Sequence, residues 1–301
     1  MLVMAMSGTA GLPAVIAGLK QGKTVALATK EILVGFGAVV MRVARRHGGT
    51  VLPIDSELAA LHQSLDGRNR SEVRRVIITA SGGPFWRTGL PNHATVAQVL
   101  RHPTWSMGKK ITVDSATLMN KGLEMIETVR LFALRPEQVE TVLHPQSIVH
   151  ALVEFQDGSL IAQLSQPDMR LPIQYCLTYP RRLPSLVQPL DLTRVGRLEF
   201  YPIDRRRFPC LGIAYDAIRS GGVAPCVMNA ANQVAVDAFL AGRIAFGLIP
   251  DIISKTMAAQ KRMLKVGKTT LRSLLLAERW ATEFALGLVA QAACQSSGKE
   301  R

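Results

Sequence analysis

The chain has 301 residues, 48% of them apolar, and its 36 Lys plus Arg against 22 Asp plus Glu give a formal charge of +14. That apolar content in a sequence of ordinary complexity excludes a disordered tail, a collagen-like fibre and a disulfide miniprotein, and the length points to two or three compact units. Four cysteines, at 176, 210, 226 and 294, show neither CxxC spacing nor a His-rich neighbourhood, so no zinc site or disulfide framework is indicated and a reducing cytoplasm fits best.

The longest early uncharged stretch, residues 1–19, is interrupted by Gly8, Gly11 and Pro13 and has no basic leader, which argues against a signal peptide or a spanning helix. Residues 2–6, 11–22, 24–29, 32–46 and 50–54 alternate short apolar runs with helical spacing, the strand–helix series of parallel α/β units. The first of these has the composition of a buried strand, so the full architecture is expected to start upstream of Met1. Residues 73–80 read as a strand and 81–110 as a long loop with helical pieces. Apolar residues at 118, 119, 125, 126, 129, 132 and 133 predict one amphipathic helix over 116–132. Residues 147–156 and 159–165 flank Asp157 and Gly158, a strong hairpin signal. Residues 179–204, with four prolines and little periodicity, read as a linker. Helix-length apolar patterns at 211–219, 227–241, 248–263 and 271–293 then predict a small helical domain, and 295–301 are expected to fray.

The positive charge is scattered in short clusters such as Arg74-Arg75, Arg181-Arg182 and Arg205-Arg206-Arg207, with few aromatics among them to stack bases. Attraction of anionic metabolites therefore ranks ahead of nucleic-acid binding.

Four local features carry chemistry. Asp55, Ser56 and Glu57 follow the strand 50–54, where the carboxyl end of a parallel strand meets ligand. In extended chain the two carboxylates would project to one side, and oxygen ligands without Cys or His suit Mg²⁺ or Mn²⁺. The competing reading is a helix cap for the residues that follow. On the helix over 116–132, Asn120, Lys121 and Glu124 share one face, with Ser115 near its N-terminus as an anion site, against the alternative of a solvated Lys/Glu pair. Ser81, Gly82 and Gly83 form a turn able to close backbone N–H groups around an anion, although many such turns bind nothing. His102, Trp105 and Met107 lie in a Pro- and Gly-bounded stretch that reads as a lid, or equally as a loop with its own small core. The glycines at 8, 11, 35 and 37 give no dinucleotide fingerprint, and there is no GxSxG.

Residues 22–31, 52–57, 81–85, 101–124, 143–159, 166–170 and 229–232, in this order and spacing, resemble the 1-deoxy-D-xylulose 5-phosphate reductoisomerase family of the non-mevalonate isoprenoid pathway. The resemblance implies an α/β fold with a truncated Rossmann-like parallel sheet over 1–54, an α+β metal, substrate and dimerisation domain over 55–178, a linker over 179–204 and a C-terminal helical domain over 205–301. It implies a divalent metal on Asp55, Glu57 and Glu124, and catalytic roles for Lys30 and Glu57. A phosphorylated ketose would be met by Ser56, Ser81, His102, Ser115, Asn120 and Lys121, and NADPH partly by Thr29, Glu31 and Gly108. Trp105 and Met107 would form the lid, and a homodimer without nucleic-acid or membrane partners is expected. The family's first strands and glycine-rich cofactor turn have no counterpart here, which opens the alternative of a metal- and sugar-phosphate-binding remnant unable to hold NADPH. Thr29, Ile32, Leu58 and Gln233 stand where the family has Asn, Ser, His and Glu.

Overall fold

In the computed structural model, which describes residues 1–263 and 268–297, strands and helices alternate first and helices follow. The chain runs β1 (Leu2–Met4), α1 (Leu12–Lys20), β2 (Thr24–Leu27), α2 (Lys30–His47), β3 (Thr50–Pro53) and α3 (Ser56–Leu65). It continues through β4 (Val73–Ala80), α4 (Val96–Val99), α5 (Lys109–Ala116), α6 (Met119–Phe132), β5 (Val139–Leu143), β6 (Val149–Phe155) and β7 (Leu160–Leu164). Next come α7 (Arg170–Thr178), α8 (Leu192–Val195), α9 (Pro209–Ser220), α10 (Ala224–Leu240), α11 (Leu248–Met263) and α12 (Leu271–Ser297). Of the end expected to fray, residues 295–301, residues 295–297 belong to α12, and 298–301 lie outside the described residues.

These elements pack into two units that are not consecutive in sequence: 1–33, 37–81 and 127–203 form the first, and 34–36, 82–126 and 204–301 the second. In the first unit β1, β2 and β3 form an all-parallel sheet in that order, with Val25 opposite Leu2 on one side and Val51 on the other. Helices α1 and α2 make the crossovers, as parallel pairing requires. Helix α2 stops at Gly48, whose φ of +67° suits the left-handed C-cap, and Arg45, Arg46 and His47 meet the negative end of its dipole. This is the Rossmann-like half of the α/β fold. A second sheet has the order β5-β4-β6-β7, with β4 parallel to β5 and antiparallel to β6. The expected hairpin is β6–β7, turning through Gly158 at φ +86°.

Residues 179–204 have little regular structure, yet they are tied into this unit. Tyr201 exchanges two backbone hydrogen bonds of 2.9 Å with Leu143 on the outer edge of β5. His144 Nδ1 donates to the Glu199 carbonyl at 2.8 Å, while its Nε2 accepts the Val149 amide at 3.1 Å.

The second unit is built around α10, buried along most of its length because its sequence is apolar on nearly every side. Helices α5, α9, α11 and α12 surround it. Gly122 on α6 faces α9 at a separation where a Cβ would stand 2.5 Å from that of Ala214, so only glycine permits this approach.

Residues 116–132 are not one helix. Helix α5 ends at Ala116, Leu118 adopts φ +58°, and α6 begins at Met119. Thr117 holds the break, its hydroxyl donating to the Asp114 carbonyl and accepting the Met119 amide at 3.2 and 3.3 Å. Apolar spacing cannot register such a left-handed residue, because Leu118 still buries its side chain as the periodic pattern demands. Among the described residues no helix is long and apolar enough to cross a membrane.

Candidate active site

In the first unit, strand β3 delivers Asp55 to the position just before α3, but its carboxylate does not cap that helix. Its Oδ2 instead lies 2.7 Å from Nζ of Lys30, the first residue of α2, and both side chains are largely withdrawn from solvent. Helix α3 starts at Ser56, so Glu57 sits in a helical first turn and the extended-chain argument for its direction does not hold. The two carboxylates still converge, with one oxygen of each within 4.8 Å of the other. Glu57 Oε2 accepts the Ser56 hydroxyl at 2.5 Å, and the positive end of α3 favours both acids. Thr29 precedes α2 and donates from its hydroxyl to the Met6 carbonyl at 2.5 Å, while Glu31 is buried in the first turn. Ile32 and Leu58, two of the departures from the family pattern, are fully buried core residues.

In the second unit, the polar face of α6 is not solvated: Lys121 is 2% exposed and Glu124 0%. Asn120 donates to Glu124 Oε1 at 2.6 Å and the Lys121 ammonium pairs with Oε2, so one carboxylate gathers both neighbours. Burying such a group is costly unless it is paired, and a fold has no packing need for it. Ser115 lies in the last turn of α5, ahead of the Leu118 break, rather than at the start of the helix that carries Glu124.

The Ser115 hydroxyl is 3.1 Å from His102 Nε2, and His102 Nδ1 accepts the backbone amides of Thr104 and Trp105 at 3.1 and 2.9 Å. Since Nδ1 accepts, the neutral ring carries its proton on Nε2 and donates it to Ser115. Burial pushes the His102 pKa below its ordinary value. Trp105 and Met107 are half-buried, and Gly108 is exposed just before α5. Ser81 follows β4 and closes the stretch 37–81 of the first unit, and Gly82 and Gly83 begin the stretch 82–126 of the second with φ of +88° and +62°. A Cβ on Gly83 would stand 3.0 Å from the Ala116 Cα, so this turn lies against the end of α5 that carries Ser115.

Oxygen-only donors beside lysines suit a hard divalent cation and an anionic ligand. Matches to protein families agree with that chemistry. Residues 1–37 match 1-deoxy-D-xylulose 5-phosphate reductoisomerase, 51–132 its C-terminal domain, and 164–284 the DXP reductoisomerase C-terminal domain. The enzyme of that name from Chlorobium phaeobacteroides is 49% identical over 294 residues, covering 97% of this chain and 76% of the relative. The chain belongs to the 1-deoxy-D-xylulose 5-phosphate reductoisomerase family.

The reductoisomerase from Pelotomaculum thermopropionicum is 50% identical over 291 residues, 96% of this chain and 74% of its own length. Among solved reductoisomerases, that of Zymomonas mobilis in complex with NADPH has a TM-score of 0.88 at 43% identity, covering 95% of this chain and 74% of that one. A crystal structure in complex with NADPH, fosmidomycin and magnesium has a TM-score of 0.90 at 40% identity, covering 96% and 75%. The chain thus spans about three quarters of the length of the reductoisomerases it matches. One polar set was given no role from sequence: Asp114 on α5, paired with Lys110 and with Asn232 on α10. A sequence signal for it was the pair Asn229 and Asn232 in a largely apolar helix, within the stretch 229–232 that resembles the family.

Proposed function

We propose that this chain acts as a reductoisomerase on 1-deoxy-D-xylulose 5-phosphate, giving 2-C-methyl-D-erythritol 4-phosphate by retro-aldol and aldol rearrangement followed by reduction. The observation that carries this reading is the burial of Glu124 and Lys121, with Asn120 bonded to the same carboxylate, in a chain about half identical to reductoisomerases. Asp55, Glu57 and Glu124 would hold one Mg²⁺ or Mn²⁺, a fit supported by their all-oxygen donor set. The bound ion supplies Lewis acidity to the ketose oxygens, and NADPH supplies the hydride.

In this reading the chain's own groups bind, orient and move protons. Ser81, Ser115, Asn120 and Lys121 hold the phosphate, and Ser56, Lys30, His102 and Glu57 meet the substrate hydroxyls. Glu57 accepts the hydroxyl proton when the carbon–carbon bond breaks and returns one on recombination, and Lys30 offsets the developing oxyanion charge. Thr29, Glu31 and Gly108 contribute to cofactor binding. The loop with Trp105 and Met107 closes over the ligand and excludes water. Residues 1–54 would serve NADPH, 55–178 metal, substrate and dimerisation, 179–204 connection and 205–301 support. The cytoplasm is the compartment this chemistry suits, and β7, with Leu160 54% exposed, supports a homodimer through the β6–β7 hairpin.

Purified chain supplied with Mg²⁺, NADPH and the ketose phosphate tests this. NADPH oxidation dependent on both other components is expected. Metal-dependent sugar-phosphate binding without NADPH binding would contradict the catalytic reading and leave a binding protein.

A further inference from the structure

One buried polar network in the second unit has no role in the chemistry assigned so far. Asp114, directly before Ser115 on α5, is 1% exposed. Its Oδ1 accepts a hydrogen bond of 2.9 Å from Asn232 Nδ2 on α10, and its Oδ2 pairs with Lys110 Nζ, one turn back on α5, at 3.0 Å. Asn232 is 0% exposed. A carboxylate only accepts, so it fixes which end of the amide faces it. The Asn232 oxygen is turned away, buried and without a hydrogen-bond partner among the described residues.

An amide with one end unsatisfied is a poor choice for helix packing alone, which a Leu or Ala at 232 would serve at lower desolvation cost. Its bond to Asp114 instead ties α5 to α10, the best-buried helix of the unit. The effect reaches further along α5. The next residue, Ser115, meets His102, and His102 holds the backbone of Thr104 and Trp105. The rotation of α5 about its own axis therefore sets both the Ser115 hydroxyl and the anchor of the loop.

We propose that Asn232 is a positioning residue that, through Asp114, sets the Ser115 hydroxyl for the phosphate of the ligand. This rests on the assignment of Ser115 to phosphate binding, and the test separates the two. Calorimetric titration of the full chain with 1-deoxy-D-xylulose 5-phosphate in the presence of Mg²⁺ gives Kd for wild type, Ser115→Ala, Asn232→Ala and the double variant. Each single change is expected to weaken binding about tenfold, and the double variant to be no more than about twofold weaker than either, because both remove the same interaction.

Wild-type affinity in Ser115→Ala alone overturns the phosphate assignment, and the proposal with it. Weakening by Ser115→Ala with wild-type affinity in Asn232→Ala, or losses that multiply in the double variant, overturns the positioning role while sparing the assignment. A purely structural role would lower the thermal midpoint and the bound fraction at unchanged Kd, which also overturns it. If Asn232→Ala does not fold, Asn232→Ser and Asp114→Asn enter the same cycle with the same expectations.

Discussion

His102 is held as a neutral ring by what surrounds it: two backbone N–H groups point at Nδ1, and a protonated imidazole has no lone pair there to accept them. Burial lowers its pKa from the ordinary 6.5, so the folded chain resists protonation where the unfolded chain does not. The stability contributed by the neutral ring is therefore complete above pH 6.5 and is lost as pH falls from there through the lowered folded value. An NMR titration of the His102 ring should give a midpoint below 6.5, and one at or above that value would contradict the arrangement. Residue identities were legible here and their directions were not. Asp55 occupies a capping position by sequence, but a capping bond and an ion pair with Lys30 draw on the same carboxylate, and the buried ammonium wins. Lys121 and Glu124 looked like an ordinary surface pair because burial of a helix face depends on partners distant in sequence.

Helix α6 shows what an element's pattern conveys and what it omits. The 3.6-residue spacing located its apolar face, yet the break at Leu118 and the close approach at Gly122 come from backbone conformation and from α9, neither of which has a periodic signature. Gly122→Ala should push α6 and α9 apart and cost about 1–3 kcal/mol, less the gain in helix propensity, so a lowered thermal midpoint is expected. An unchanged or raised midpoint would show that the interface yields freely. The same substitution lies between Lys121 and Glu124, so it should also weaken ligand binding. The strand–helix alternation of β1 to β3 and the β6–β7 hairpin were readable because each is set by local signals, a buried apolar run or an Asp-Gly turn. Residues 179–204 read as a connection because their pairing partners, Leu143 and His144, lie far back in the sequence.

At the scale of the whole chain, each compact unit is assembled from separated stretches, which no composition shift announces. Residues 82–126 join the C-terminal helices in the second unit, while Asp55, Glu57 and Lys30 belong to the first. Asp55 and Glu57 are near neighbours in sequence, so a local pattern could supply those two proposed metal ligands and not Glu124. A formal charge of +14 accords with an anionic substrate and cofactor without selecting either. Electron paramagnetic resonance titration with Mn²⁺ addresses the three carboxylates together. One Mn²⁺ per chain is expected, with affinity weakened more than about tenfold by each of Asp55→Asn, Glu57→Gln and Glu124→Gln while the fold is kept, since each removes a charged ligand. Wild-type Mn²⁺ affinity in folded Glu124→Gln would contradict the account.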